Sequence, residues 1–219
     1  MFAYPKQAEV NREVPKVKLY AHGKVTKRIK DFFVTQVDEI RWRYKLSPET
    51  INLPARDGIE EIEVFELVLK TPHLADAVLQ TIDRAIPLPL VYQLTYGNEV
   101  RFAATYKRPS EADPEKWVIE DRFVTAPLPK TSLELQPLPV ALDLAVLYEQ
   151  IIRRHMPLPA RTGESLADQV TRLHALEAVQ KQHRHLETRL AQEKQFNRKV
   201  ELNAALRSLT QELEALKRG

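Results

Sequence analysis

Leu88-Pro-Leu-Val-Tyr-Gln-Leu-Thr-Tyr96 and Glu99-Val-Arg-Phe-Ala-Ala-Thr-Tyr-Lys107 flank the dipeptide Gly97-Asn98. A Gly-Asn pair between two β-rich runs suits a two-residue primed turn, so residues 88–107 predict an antiparallel hairpin. Upstream, His73 to Ile86 carries Leu74, Val78 and Ile82 at helical spacing. Before it, Ile62 to Lys70 reads as a strand with Phe65, Leu67 and Leu69 on one face and Val64, Glu66 and Val68 on the other. Apolar content on both faces predicts a central position in the sheet. Ile40, Trp42, Tyr44 and Leu46 alternate with Arg41, Arg43 and Lys45, which predicts a half-buried strand with its cations on one face. A helix over Lys24–Thr35, a loop over Asn52–Gly58, a strand over Trp117–Val124 and a helix over Leu142–His155 complete the set.

Pro-Leu-Pro occurs four times, beginning at Pro87, Pro127, Pro137 and Pro157, each time between periodic segments, as stiff corners require. Beyond Pro159 the pattern changes. Ser165 with Asp168 forms a helix-start pair, and Leu166, Val170, Leu173, Leu176 and Val179 run on toward Leu186 and Leu190. Leu202, Leu206, Leu209, Leu213 and Leu216 are spaced four-three-four-three, a heptad register. Glu193 to Lys199 is polar and interrupts it. A continuous helix over 165–217 would be on the order of 80 Å long and could not bury its stripe alone. It must fold back, pair with a second copy or lie on another protein. The expected fold is therefore α+β: a mixed or antiparallel sheet with packed helices, then a long coiled-coil helix or helical hairpin. The expected segments are a domain over 1–156, a linker over 157–164 and a helical extension over 165–219.

The 219 residues contain no cysteine, which removes disulfides, thiolate metal sites and cysteine nucleophiles. Five glycines argue against phosphate-cradling loops, and a net charge of +3 leaves binding to local charge distribution. Met1 to Val10 lacks the apolar core of a secretory signal, and no run is long enough to span a membrane. A cytoplasmic protein with no membrane partner is expected.

Chemistry-bearing clusters are sparse. His183 and His185 stand two apart on a helix, so their rings diverge. No metal site and no cofactor is expected, and the balance favours a protein without catalytic activity. The enzymatic alternative is a divalent-metal nuclease using Glu61, Glu63, Glu66 and Lys70, although Glu66 and Lys70 are four apart where an acid-x-lysine triplet needs two. The cations Lys24, Lys27, Arg28, Arg41, Arg43 and Lys45 form a candidate phosphate-contacting surface, which keeps a stand-alone nucleic-acid-binding protein open as well. Tyr92, Tyr96, Phe102 and Tyr106 could stack bases, but a sheet packing against helices requires the same alternation, and core is the favoured assignment. Lys194, Phe196, Arg198, Lys199 and Asn203 form a candidate docking patch around one aromatic anchor.

Several stretches together resemble the bacterial domain-of-unknown-function 4391 family. They are Val14-Pro-Lys-Val-Lys-Leu-Tyr20, Ile40-Arg-Trp-Arg-Tyr-Lys-Leu-Ser-Pro-Glu-Thr-Ile-Asn-Leu53, Glu61-Ile-Glu-Val-Phe-Glu-Leu-Val-Leu-Lys70, Ile82-Asp-Arg-Ala-Ile-Pro87 and Lys194-Gln-Phe-Asn-Arg-Lys-Val-Glu-Leu-Asn203. The resemblance implies a setting beside helicases and DNA methyltransferases in restriction-like or phage-defence loci. It supplies no catalytic residue. The expectation is a non-catalytic accessory subunit that docks a helicase or DNA methyltransferase, contacts DNA through its basic surface and has its C-terminal helix available for self-association.

Overall fold

The computed structural model describes residues 2–21, 25–110, 112–113 and 116–218. The chain divides into two units, Met1–Met156 and Pro157–Gly219.

In the first unit the elements run β1 (Phe2–Ala3), β2 (Glu9–Glu13), α1 (Lys16–Ala21), α2 (Lys27–Gln36), β3 (Val37–Leu46), α3 (Pro48–Ile51), β4 (Ile62–Leu69) and α4 (Asp76–Ala85). They continue with β5 (Leu90–Tyr96), β6 (Glu99–Pro109), β7 (Trp117–Val124), β8 (Leu128–Pro129), β9 (Gln136–Pro137) and α5 (Leu144–His155). The sheet is seven-stranded and mixed, in the order β2-β3-β4-β5-β6-β7, with β8 also paired to β6. Within it, β4 and β5 alone run parallel, because α4 carries the chain across between them. The predicted hairpin is present: Tyr96 pairs with Glu99, and Gly97 takes the positive φ (52°) that a primed turn demands. β4 is central and almost wholly buried, as its two-faced apolar pattern predicts.

Two expectations change. The helix predicted from Lys24 begins at Lys27, where the Thr26 side chain accepts a hydrogen bond from Ile29 N and caps the first turn. The alternation of β3 is also broken. A bulge between Trp42 and Tyr44 sets Ile40 and Trp42 opposite Leu67 and Phe65, but Tyr44 and Leu46 opposite Val64 and Ile62. One inserted residue reverses the faces beyond it. Ile40 and Trp42 therefore join the core beneath α1, α2 and α4, with Phe33, Phe65, Leu67, Val78 and Ile82. α5 packs against β6 and β7, and its His155 meets Phe102 edge-on at 6.5 Å on the opposite face of the sheet.

A polar network lies inside this apolar frame. Asp83 on α4 is fully buried and accepts from Tyr92 Oη (2.7 Å), Thr105 Oγ1 (3.0 Å) and Arg122 Nε (3.1 Å). Lys107 Nζ stands 3.4 Å from the same carboxylate and donates to the carbonyls of Asp83 (2.8 Å), Ile86 (3.0 Å) and Leu88 (3.0 Å). The buried lysine thus supplies donors where α4 runs out of its own. Burial pulls its ammonium down to about 8, against the opposing pull of Asp83.

In the second unit, α6 (Leu166–Gln192) and α7 (Phe196–Lys217) form a helical hairpin rather than one continuous rod. The break falls in the polar stretch that interrupts the heptads. There the Glu193 carboxylate accepts from the backbone N–H groups of Lys194 (2.8 Å) and Gln195 (2.9 Å) and so stabilises the turn. At the other end, Arg172 donates to Leu216 O (2.8 Å) and Pro159 O (2.6 Å) while held by Glu164. Arg161 donates to Arg218 O (2.9 Å) and Ala215 O (2.6 Å). Two guanidiniums therefore satisfy the terminal carbonyls of α7 and favour its negative dipole end. Hydrogen bonding to Arg172 pushes the Glu164 carboxyl down to about 2.

The Asp83 network gives a discriminating stability test. Asp83→Ala leaves Lys107 and Arg122 buried without their carboxylate and should cost about 3–5 kcal/mol in urea unfolding. Asp76→Ala removes only the exposed partner of Arg122 and should cost less than about 1 kcal/mol.

Candidate functional site

The four nuclease candidates are not gathered. In the regular strand β4, Glu63 shares a face with Phe65 and Leu67, whereas Glu66 points to the other face, where it receives Arg43 (2.9 Å) and Gln93 (3.4 Å). Lys70 lies beyond the far end of the strand and donates to Val34 O (3.1 Å). Among the described residues no group of three or more metal-ligating side chains converges.

The basic surface is likewise divided. The bulge in β3 separates Arg41, which lies opposite Glu66, from Lys45, which lies opposite Glu63, so the single cationic strand face expected from the sequence does not form. Each of the three is held by a carboxylate: Arg41 by Glu39, Arg43 by Glu66, and Lys45 by Glu61 at 2.5 Å. Lys27 and Arg28 remain exposed at the start of α2, with the Arg28 guanidinium 5.5 Å from the Phe32 ring centre. Lys24 lies outside the described residues.

Glu63 is strongly perturbed. Only 3% exposed, it accepts a hydrogen bond from Trp42 Nε1 and lies beside the Glu61 carboxylate. Burial, reinforced by Glu61, pushes its carboxyl up to about 8. It lines a cleft of about 370 Å³ with Lys18, Leu19, Trp42, Phe65, Ile86 and Leu88. Burial and the Glu61 carboxylate favour the protonated form of Glu63 in this cleft, whereas the Trp42 indole, by donating to it, favours the carboxylate.

The docking candidates meet at the tip of the hairpin, at the start of α7. At 100° per residue, Phe196, Val200 and Asn203 share a face turned away from the leucine stripe, Lys199 lies between that face and the stripe, beside Leu206, and Arg198 falls on the stripe side. Lys194 lies in the turn. Phe196 is 78% exposed and Val200 53%, and Asn203 Nδ2 is fixed on Lys199 O (2.8 Å).

A second cleft, of about 290 Å³, opens on the α5 side of the sheet between Phe2, Tyr4, Phe102, Ser132, Glu134, Arg154 and His155. Its residues come from five separated segments, so no local pattern announces it. The alternation that exposes Phe102 to the face opposite Ala103 is its one legible signal.

The raised carboxyl of Glu63 has a definite consequence for pH. Its folded pKa lies above the unfolded value, so the native state binds the extra proton and stability falls as pH rises from about 4.5 to 8. Glu63→Gln, neutral throughout, should remove a slope of up to about 1.4 kcal/mol per pH unit over that window. Urea midpoints of both proteins between pH 5 and 8 measure it; parallel curves would show that Glu63 is ionised throughout.

Among the described residues, no helix is long and apolar enough to cross a membrane. No curated protein and no solved structure matches the chain. A family model described as "Domain of unknown function (DUF4391)" matches residues 2–213. That span runs from β1 nearly to the end of α7 and takes in both units, so the chain belongs to the DUF4391 family.

Proposed function

We propose that this chain is a non-catalytic accessory subunit of a restriction-like or phage-defence complex, docking a helicase or DNA methyltransferase through the tip of its C-terminal hairpin. One observation carries this reading. Phe196 and Val200, a large aromatic and a β-branched residue, stand largely exposed one turn apart, with Asn203 on the same face and Lys199 between that face and the leucine stripe. An exposed aromatic with polar and cationic neighbours has the composition of an interface anchor and its rim. The partner surface it fits is an apolar pocket edged by carboxylates. The defence setting and the identity of the partner come from the family resemblance.

DNA contact, as part of this role or alone, rests on Lys27 and Arg28. Unlike the strand cations, they make no ion pair among the described residues. The half-buried leucines Leu186, Leu190, Leu202 and Leu206 also leave the hairpin seam partly open, which favours self-association.

Co-expression with the neighbouring helicase or methyltransferase tests the docking reading. Phe196→Ser with Val200→Ser should leave the circular dichroism and melting of the chain within experimental error, because both side chains face solvent, and abolish co-purification. Retained co-purification would refute the tip as the docking site. For DNA, Lys27→Ala with Arg28→Ala should reduce the slope of log K against log salt by about 0.9 for each phosphate no longer neutralised; an unchanged slope would exclude these residues.

A further inference from the structure

The cleft on the α5 side of the sheet is not used by the docking reading, and its chemistry is more specific than that of the Glu63 cleft. Its walls are aromatic. Tyr4 is stacked on Tyr44 at 4.6 Å and 28°, and Phe2 meets Tyr4 edge-on at 6.3 Å. Phe102 and His155, edge-to-face at 6.5 Å, also line the cleft. Aromatic groups already locked by aromatic neighbours offer a planar ligand a preorganised slot.

The polar groups supply both donors and acceptors. His155 Nδ1 lies 2.7 Å from Ile151 O, so that nitrogen carries the proton and Nε2 is the acceptor. Burial pulls the imidazole below its ordinary pKa and keeps it neutral. Ser132 can donate or accept, and Glu134, although engaged elsewhere, also lines the cleft. Arg154 is exposed, and its partner is the neutral amide oxygen of Gln136; among the described residues it makes no ion pair. A cation held in place by a neutral group, beside an aromatic slot, keeps its charge available to an anion.

We propose that this cleft binds a nucleobase carrying a 5′-phosphate, with the base between the aromatic walls and the phosphate on Arg154. A volume of about 290 Å³ lies at the small end of ligand pockets and accommodates one ring system rather than a dinucleotide. A planar heterocycle with alternating donors and acceptors matches mixed groups on the rim, and stacking with edge hydrogen bonds is how proteins read unpaired bases. The same chemistry is available from a free nucleotide or from a base in a single strand.

Calorimetric titration of the full chain with AMP, GMP, CMP and UMP, and with the matching nucleosides, tests the assignment. At least one monophosphate should bind saturably. Arg154→Ala should weaken it about tenfold, as loss of one charge-assisted hydrogen bond predicts, while leaving the nucleoside unchanged. Absence of saturable binding at millimolar concentration for all four would overturn the proposal. So would monophosphate binding that is indifferent to Arg154→Ala. Deoxynucleotide tetramers separate the sources: tighter binding than the monophosphate, with the same Arg154 dependence, marks a base within a strand, and equal or weaker binding marks a free nucleotide. Failure here leaves the hairpin tip untouched, because Phe196 and Val200 belong to the other unit.

Discussion

The Asp83 carboxylate is the constraint on which the first unit depends. It joins α4 to three strands at once, through Tyr92 on β5, Thr105 on β6 and Arg122 on β7. Lys107 turns the same centre into a helix cap by donating to the carbonyls of Asp83 and Ile86 at the end of α4 and of Leu88 just beyond it. A parallel strand pair cannot be joined by a tight turn, so the β4–β5 pairing requires a crossover whose helix returns at a fixed position. Apolar contacts between α4 and the sheet would tolerate a slide by part of a turn. A buried carboxylate with directional partners does not, because any shift strands a charge. The network thus specifies where α4 sits more than it adds to net stability.

This centre was not legible in the sequence. Asp83 lies between Ile82 and Arg84 in the helix marked by Leu74, Val78 and Ile82, and no local pattern singles out Asp83, Lys107 or Arg122. Their meeting depends on strand order and register, which no local period encodes. The hairpin at Gly97-Asn98 was legible because its turn chemistry is local, and β4 because a strand buried on both faces has a composition of its own. The β3 bulge was hidden by the regular alternation from Ile40 to Leu46. Nothing in Trp42-Arg43-Tyr44 marks a bulge as a glycine or proline would, yet that inserted residue splits the cations and puts Trp42 against Glu63. Of the candidate sites, the hairpin tip was visible as an interruption of the heptads, whereas the cleft beside His155 is assembled from segments spread over residues 2–155.

The hairpin has a gradient of its own. Near its base, Leu166, Val170, Leu173, Leu176, Val179 and Leu213 are buried, and Arg161 and Arg172 fasten the end of α7. Toward the tip, Leu186, Leu190, Leu202 and Leu206 are only half-buried, and Phe196 and Val200 face solvent. Two helices can bury a single stripe against each other, but not a seam widened by further apolar positions. Local opening is easiest where apolar contacts are fewest, which places the low-stability end at the tip.

That asymmetry bears on how the tip could recognise a partner. A docking anchor needs solvent access before binding and a fixed support afterwards. The hydrogen-bonded base supplies the support by fixing the far end of α7, and the Glu193 carboxylate fixes the turn through two backbone amides. Phe196 is the first helical residue after that turn, so its ring projects from a backbone constrained on the turn side by the Glu193 hydrogen bonds. Each side chain immobilised on binding costs about 0.5–1.5 kcal/mol, and the tip, as the end that opens more easily, adds a backbone share. Phenylalanine, with few rotatable bonds and a large apolar surface, has little of the side-chain cost to bear, and on the proposed docking reading Lys199 would contribute chiefly to encounter and orientation.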